Sequence, residues 1–370
     1  MGDSKNKIIS GGASILLDTL RLVAALTVLF THANDQWFTP IFERMNTISH
    51  AAVVVFFVLS GYVIAFTTAS NNRGPRQYAV ARLSRLYSVV LPAIVLTAVV
   101  ELIVRRADAN LAEFYTRGND WPRYAICALF CNEIGFFSAA PPINVALWSL
   151  SFEFWYYIIF GLWFYRSHTW KSRLLLVGAC LIAGPKILIL LPVWLLGVLA
   201  YQLRAPVLSA GRAWVAVLLL LAAAGLAIVL LPAMPFILGF KPLFFANQFL
   251  TDWIIGILFA AAIWLLPTNS SALKISWAKP LRKIADWSFP LYVLHYPLLV
   301  LWQATFGWQA GNLKQMWLAM FFVSLVSVVL GIFLERGRRQ WTSFFNWLFA
   351  LPPRLFLVLQ TRKATAARRG

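Results

Sequence analysis

Arg21 and His32 stand eleven positions apart in the apolar run LLDTLRLVAALTVLFTHAND. At 3.6 residues per turn, eleven steps close three turns with about 20° left over, so both side chains leave one helical face, about 16 Å apart along the axis. Asp18 lies three residues before Arg21, on the same side. Ionisable groups inside a lipid-spanning segment are expensive and mark function by default. A guanidinium can hold an anionic group, and an imidazole titrates near neutrality and can move a proton. The pair therefore reads as anchor and chemistry for one elongated substrate.

Three further constellations have the same character. Arg82 and Arg85 are spaced i, i+3 in ARLSRLYSVVLP and share a face just before an apolar run. Their forked donors match phosphate oxygens. Glu153 is the lone carboxylate in NVALWSLSFEFWYY, with Ser149 one turn before it and Trp148 beside that serine. At that depth it needs a partner or a proton. Trp148 reads first as an interfacial aromatic and second as a sugar-stacking wall. His295 sits mid-run in ADWSFPLYVLHYPLLVLW. His50 and His168 fall near loops and are expected to be solvated, and Ser60-Gly61 reads as a point of close backbone approach. Cys127 and Cys131 read as small apolar residues.

The elements that must position these groups are membrane helices. The chain is 61% hydrophobic with 17 tryptophans, and its mean hydropathy is +0.73, outside the range of soluble domains. Ten spans are expected, near 15–35, 48–69, 86–104, 146–165, 174–186, 187–203, 213–232, 249–267, 287–306 and 316–334. With both termini cytoplasmic, 23 of the 32 Lys and Arg fall in inner segments and eight in outer ones, a strong orientation bias. In this layout 124–137, apolar for only fourteen residues, is a re-entrant or interfacial piece. A rival layout makes 124–140 a span and 174–203 one tilted span, with a weaker bias of 21 against ten. The division is a cytoplasmic tail 1–14, a membrane domain 15–336 and a basic cytoplasmic tail 337–370. The last part of that tail, apolar and then basic, suits the anionic inner leaflet. The net charge of +19 is spread through short loops instead of one aromatic-laced patch, so a nucleic-acid partner is not expected.

LDTLRLVAALTVLFTHA, VVVFFVLSGYVIAF, YAVARLSRLY, LWSLSFEFWYY, WSFPLYVLHYPLLV and FLERGRR together resemble the acyltransferase type 3 family of integral-membrane enzymes, over roughly residues 15–340. Arg-x10-His matches Arg21 and His32, Arg-x-x-Arg matches Arg82 and Arg85, and Ser-x-x-x-Glu matches Ser149 and Glu153. Thr19 stands where the family has a glycine, and Gly337 where it has a proline. The resemblance implies an all-α helix bundle in the cell membrane, that of a bacterial cytoplasm, and transfer of an acyl group to a hydroxyl. The donor it implies is acyl-CoA, usually acetyl-CoA, as co-substrate, with no permanently bound cofactor and no metal. The acceptor is a glycan such as polysaccharide or lipopolysaccharide, or a lipid-linked sugar, and glycan-assembly proteins are possible partners.

On that reading Arg21, Arg82 and Arg85 bind the coenzyme A phosphates. His32 acts as general base or as acyl-accepting nucleophile, a choice left open here. Glu153, in preference to Asp35, orients the His32 ring, and Asp18, Ser149, Trp148 and His295 support substrate and site. Two other classes fit parts of the pattern. One is a glycolipid transporter or flippase using Glu153 and His295 as a proton relay. The other is a glycan-assembly scaffold.

Overall fold

The computed structural model describes residues 11–38, 43–71, 73–204, 206–267 and 278–350. It is all-helical, with no strand among the described residues. The helices are α1 (Gly12–Trp37), α2 (Glu43–Ser70), α3 (Pro75–Ala107), α4 (Ala109–Tyr115), α5 (Trp121–Ala128), α6 (Trp148–Phe164), α7 (Trp170–Gln202), α8 (Ala210–Leu230), α9 (Phe249–Trp264), α10 (Ala278–Asp286), α11 (Ser288–Phe306) and α12 (Leu313–Leu348). Seven helices are long and apolar enough to cross a membrane, and the bent pair α10–α11 makes an eighth. That is fewer than ten for two local reasons. The run 174–203 becomes two half-helices merged within α7, and α9 has 16 residues. The segment 124–140 is not a span: after α5 it turns at Phe130 (φ 55°) and folds back under α6, where Ser151 Oγ and Trp155 Nε1 both donate to the Phe130 carbonyl. Irregular backbone of this kind is stable near a bilayer only when protein covers it.

The break in α7 lies at Gly184 (φ 79°, ψ 178°), two residues before the expected division. A Cβ there would fall 2.6 Å from the Gly135 nitrogen, which donates to the Ala183 carbonyl at 3.2 Å. The next residues correct a sequence expectation. Lys186, assigned to an outer loop, is fully buried. Its Nζ reaches Glu133 Oε2 at 2.5 Å and the Phe137 carbonyl at 2.6 Å, and Ser138 Oγ donates to Glu133 Oε1 at 2.6 Å. A proline followed by a lysine resembles a loop in sequence, but a buried carboxylate 53 positions away holds this one in the bundle. Burial outweighs the ammonium and pushes the Glu133 carboxyl up to about 7.

Lys186→Met is expected to destabilise the fold by roughly 3 kcal/mol, since it leaves a buried carboxylate without its counter-charge. A carboxyl with a raised folded-state pKa takes up a proton on folding, so its penalty grows as pH rises from about 4.5 through about 7. Without the lysine that penalty extends further. Melting of the detergent-purified variant should therefore fall further below wild type at pH 8 than at pH 6.

The core seam is α2 against α7. An added Cβ on Gly61 would sit 2.0 Å from the Trp194 carbonyl oxygen, and one on Gly197 would sit 1.9 Å from that of Val58. The two backbones touch, as the Ser60-Gly61 pair predicts. α1 packs beside α2, and α11 closes the space between α1 and α3. Large apolar side chains such as Val95, Leu181, Leu219 and Phe321 face outward, where lipid suits them.

One helix crosses the expected boundary at 336/337. α12 runs unbroken from Leu313 to Leu348 and carries Arg338 with it, because the sequence offers no proline or capping turn there. Residues 351–370, the expected leaflet-binding segment, lie outside the described residues.

Candidate active site

Five helices converge on one cleft. α1 contributes Arg21, α3 contributes Arg82 and Arg85, α6 contributes Ser149, Glu153 and Tyr157, α2 contributes Ser60 and Val53, and α11 contributes Tyr292. Arg82 NH2 donates to Thr67 Oγ1 at 2.8 Å, while its buried Nε has no partner among the described residues. Neither Arg82 nor Arg85 forms an ion pair among the described residues. Arg338 stands close enough to repel both. Arg82 and Arg85, with donors unspent beside Arg21, make this end of the cleft an anion site even with Asp18 4.0 Å from Arg21.

Glu153 does not turn to the histidines. Its Oε1 accepts from Ser60 Oγ at 2.9 Å and from Tyr157 Oη, and Trp194 Nε1 donates to Ser60 Oγ at 3.2 Å. The carboxylate is thus held by hydroxyls in the middle of the cleft. At the next level Tyr292 Oη donates to the Ala146 carbonyl at 3.0 Å, so the 2.7 Å contact with Ser149 is donated by the serine.

The histidines lie one helical turn beyond. His32 Nδ1 and His295 Nε2 are 2.8 Å apart, with the two ring planes 5° from parallel. His295 Nδ1 lies 2.7 Å from the Tyr292 carbonyl and 3.2 Å from that of Leu291. A carbonyl only accepts, so His295 Nδ1 carries hydrogen and its Nε2 lone pair accepts from His32 Nδ1–H. The His32 Nε2 lone pair is left outward, 3.4 Å from Ser49 Oγ. His295, and not Glu153 or Asp35, therefore orients His32, which corrects the sequence expectation. Glu153 is engaged elsewhere, and Asp35 is exposed at the end of α1.

The backbone places His295 by a specific device. Pro297 in α11 has no N–H for the Val293 carbonyl. Asn144 Nδ2 fills that position at 3.1 Å and also donates to Thr97 Oγ1 of α3 at 3.0 Å.

The remaining expected site residues are dispersed. Asp18 lies at the cleft edge, 4.0 Å from Arg21 and 3.5 Å from Arg282. Trp148 is buried, stacked between His50 (5.3 Å) and Phe245 (4.5 Å), so it is neither an interfacial belt residue nor part of the cleft wall. His50, expected in solvent, is buried with its Nε2 2.9 Å from Asp252 Oδ2, and Gln248 Nε2 donates to Asp252 Oδ1 at 3.0 Å. The 202 positions between His50 and Asp252 hide that pair from any local pattern. Tyr157, four residues after Glu153, was within reach of helical spacing. Ser49 and Asn144 gave no sequence signal.

The sequence model described as an acyltransferase domain, that of the acyltransferase type 3 family, matches residues 15–336. The chain belongs to this family. A match is also found to a protein named O-acetyl transferase from Shigella phage Sf6, 30% identical over 151 residues. The match covers 39% of this chain and 44% of that relative, so the chain spans under half the length of the relative it matches. No solved structure matches it. The matched region holds the whole cleft and both paired histidines.

Proposed function

We propose that this membrane acyltransferase moves an acyl group, acetyl in the simplest case, from cytoplasmic acyl-CoA to a hydroxyl of a glycan or lipid-linked sugar. The observation that carries the reading is the directed His32–His295 pair set one turn beyond a cleft whose other end holds Arg21, Arg82 and Arg85. The arginine end faces the cytoplasm and takes the coenzyme A phosphates. The thin pantetheine arm runs past Glu153 and Tyr292 and brings the thioester to the histidines. His32 Nε2 removes the proton of the attacking hydroxyl, and the Nδ1–H bond to His295 spreads the charge that develops. The new C–O bond forms, the C–S bond breaks, and the proton returns from His32 to the departing sulfur. The O-acetyl transferase name of the phage protein supports an oxygen acceptor.

Incubation of the purified protein with radiolabelled acetyl-CoA and an extract of cell-envelope glycans tests this. Label is expected in the glycan fraction, with free coenzyme A released in step. Glycan that crosses a vesicle membrane unlabelled, with acetyl-CoA intact, would reject the enzyme reading. The double variant Arg82→Ala, Arg85→Ala is expected to raise KM for acetyl-CoA roughly tenfold or more while changing kcat less, because it removes charge-assisted bonds to a part of the donor that does not react. Steady-state kinetics at varied donor concentration measure it.

A further inference from the structure

We infer that Ser49 is an acyl-accepting nucleophile, and that transfer passes through an acyl-serine. The inference rests on the donor, acceptor and base of the proposed function, and divides its single displacement into two. Ser49 opens the buried part of α2, is itself buried, and has its hydroxyl on the free Nε2 of His32. The full chain is a line of donors: Ser49 Oγ–H to His32 Nε2, His32 Nδ1–H to His295 Nε2, His295 Nδ1–H to the Tyr292 carbonyl. A hydroxyl on a base, the base oriented by a third group, and that group fixed by backbone is the arrangement that activates serine nucleophiles, and the first contact is often long before substrate binds. Among the described residues no other hydroxyl lies on the lone pair of His32. Val53, one turn along α2 from Ser49, and Tyr292, three residues before His295, both line the cleft. The serine therefore sits just past the point where the cleft would deliver a thioester.

The chemistry balances without another reactant. Ser49 Oγ attacks the thioester carbonyl as its proton passes to His32 Nε2. The C–S bond breaks, and coenzyme A leaves as the thiol with the proton from His32. The acceptor hydroxyl then attacks the serine ester, giving its proton to His32, which returns it to Ser49 Oγ. One base serves two substrates in turn, so donor and acceptor need not occupy the narrow passage together.

The test uses the full chain in detergent with acetyl-CoA alone. Wild type is expected to release about one equivalent of coenzyme A per chain in a burst, with one acetyl on the peptide that carries Ser49. Ser49→Ala should lose both the burst and the label. Ser49→Cys should trap the acetyl as a thioester cleaved by neutral hydroxylamine, which the serine ester resists, and this identifies the acceptor atom even if the alanine variant fails to fold. Acetyl on His32 with none at residue 49 in either wild type or Ser49→Cys would overturn the serine role. So would release of coenzyme A by the wild type with residue 49 unmodified, an outcome that leaves the proposed function standing. Acetyl-CoA left intact by the wild type without acceptor would also overturn the serine role while direct transfer stands, and acetyl-CoA left intact even after the glycan extract is added would overturn both.

Discussion

Replacing His32 with alanine is expected to lower acyl transfer by roughly 10²- to 10⁴-fold, the range for loss of a positioned base, while the protein still inserts and purifies. The argument rests on direction as much as on proximity. Because the Tyr292 carbonyl fixes the hydrogen on His295 Nδ1, the hydrogen of His32 is fixed on Nδ1 and its reactive lone pair on Nε2. Two replacements at position 295 separate this from simple packing. Glutamine can still accept from His32 and donate to a carbonyl, and should retain most of kcat. Leucine fills the space without accepting, frees the His32 tautomer, and should approach the alanine variant. Initial rates of coenzyme A release, normalised to folded protein, measure all three. Equal rates for glutamine and leucine would show that His295 merely fills space.

The second large effect is structural. Gly61→Ala or Gly197→Ala should each destabilise the bundle by roughly 3 kcal/mol or more, at the upper end for overpacking. Each added methyl would lie about 2 Å from a main-chain oxygen of the facing helix, and backbone cannot rotate away as a side chain can. The α2–α7 seam would have to part, and α2 carries both Ser60, which holds Glu153, and Ser49 beside His32. Loss of monodisperse protein on gel filtration in detergent, or a large drop in melting temperature, is the expected readout. The double variant should be less than additive, since one parting of the helices relieves both clashes.

The cationic and acidic groups of the cleft were legible in the sequence because charge inside an apolar run stands out by its expense. Arg21, Arg82, Arg85 and Glu153 were found that way, and all four line one cleft. The Arg21–His32 spacing likewise placed both groups on an inward face. Groups that carry no such penalty left no trace. Ser49 and Asn144 are ordinary polar residues until the fold puts a histidine and a proline-freed carbonyl beside them. Lys186 and His50 were misplaced for the opposite reason: each was assigned to water, and each is buried on a carboxylate that only tertiary structure supplies. The ten expected segments match apolar helices or half-helices, but a break such as Gly184 is a matter of backbone conformation, which composition does not report.

The Asn144 bridge has a consequence for biogenesis. The amide that Pro297 lacks is replaced from a segment some 150 positions earlier, and the same side chain is moored to α3. Nascent chain emerging up to α7 already contains the three arginines and Glu153, yet His295 and the carbonyl ladder that orients it arrive only with α11. The arginine end of the cleft is therefore complete early in synthesis, whereas His32, made first, gains the partner that orients it last, and a ribosome stalled before α11 would leave its imidazole without a fixed tautomer.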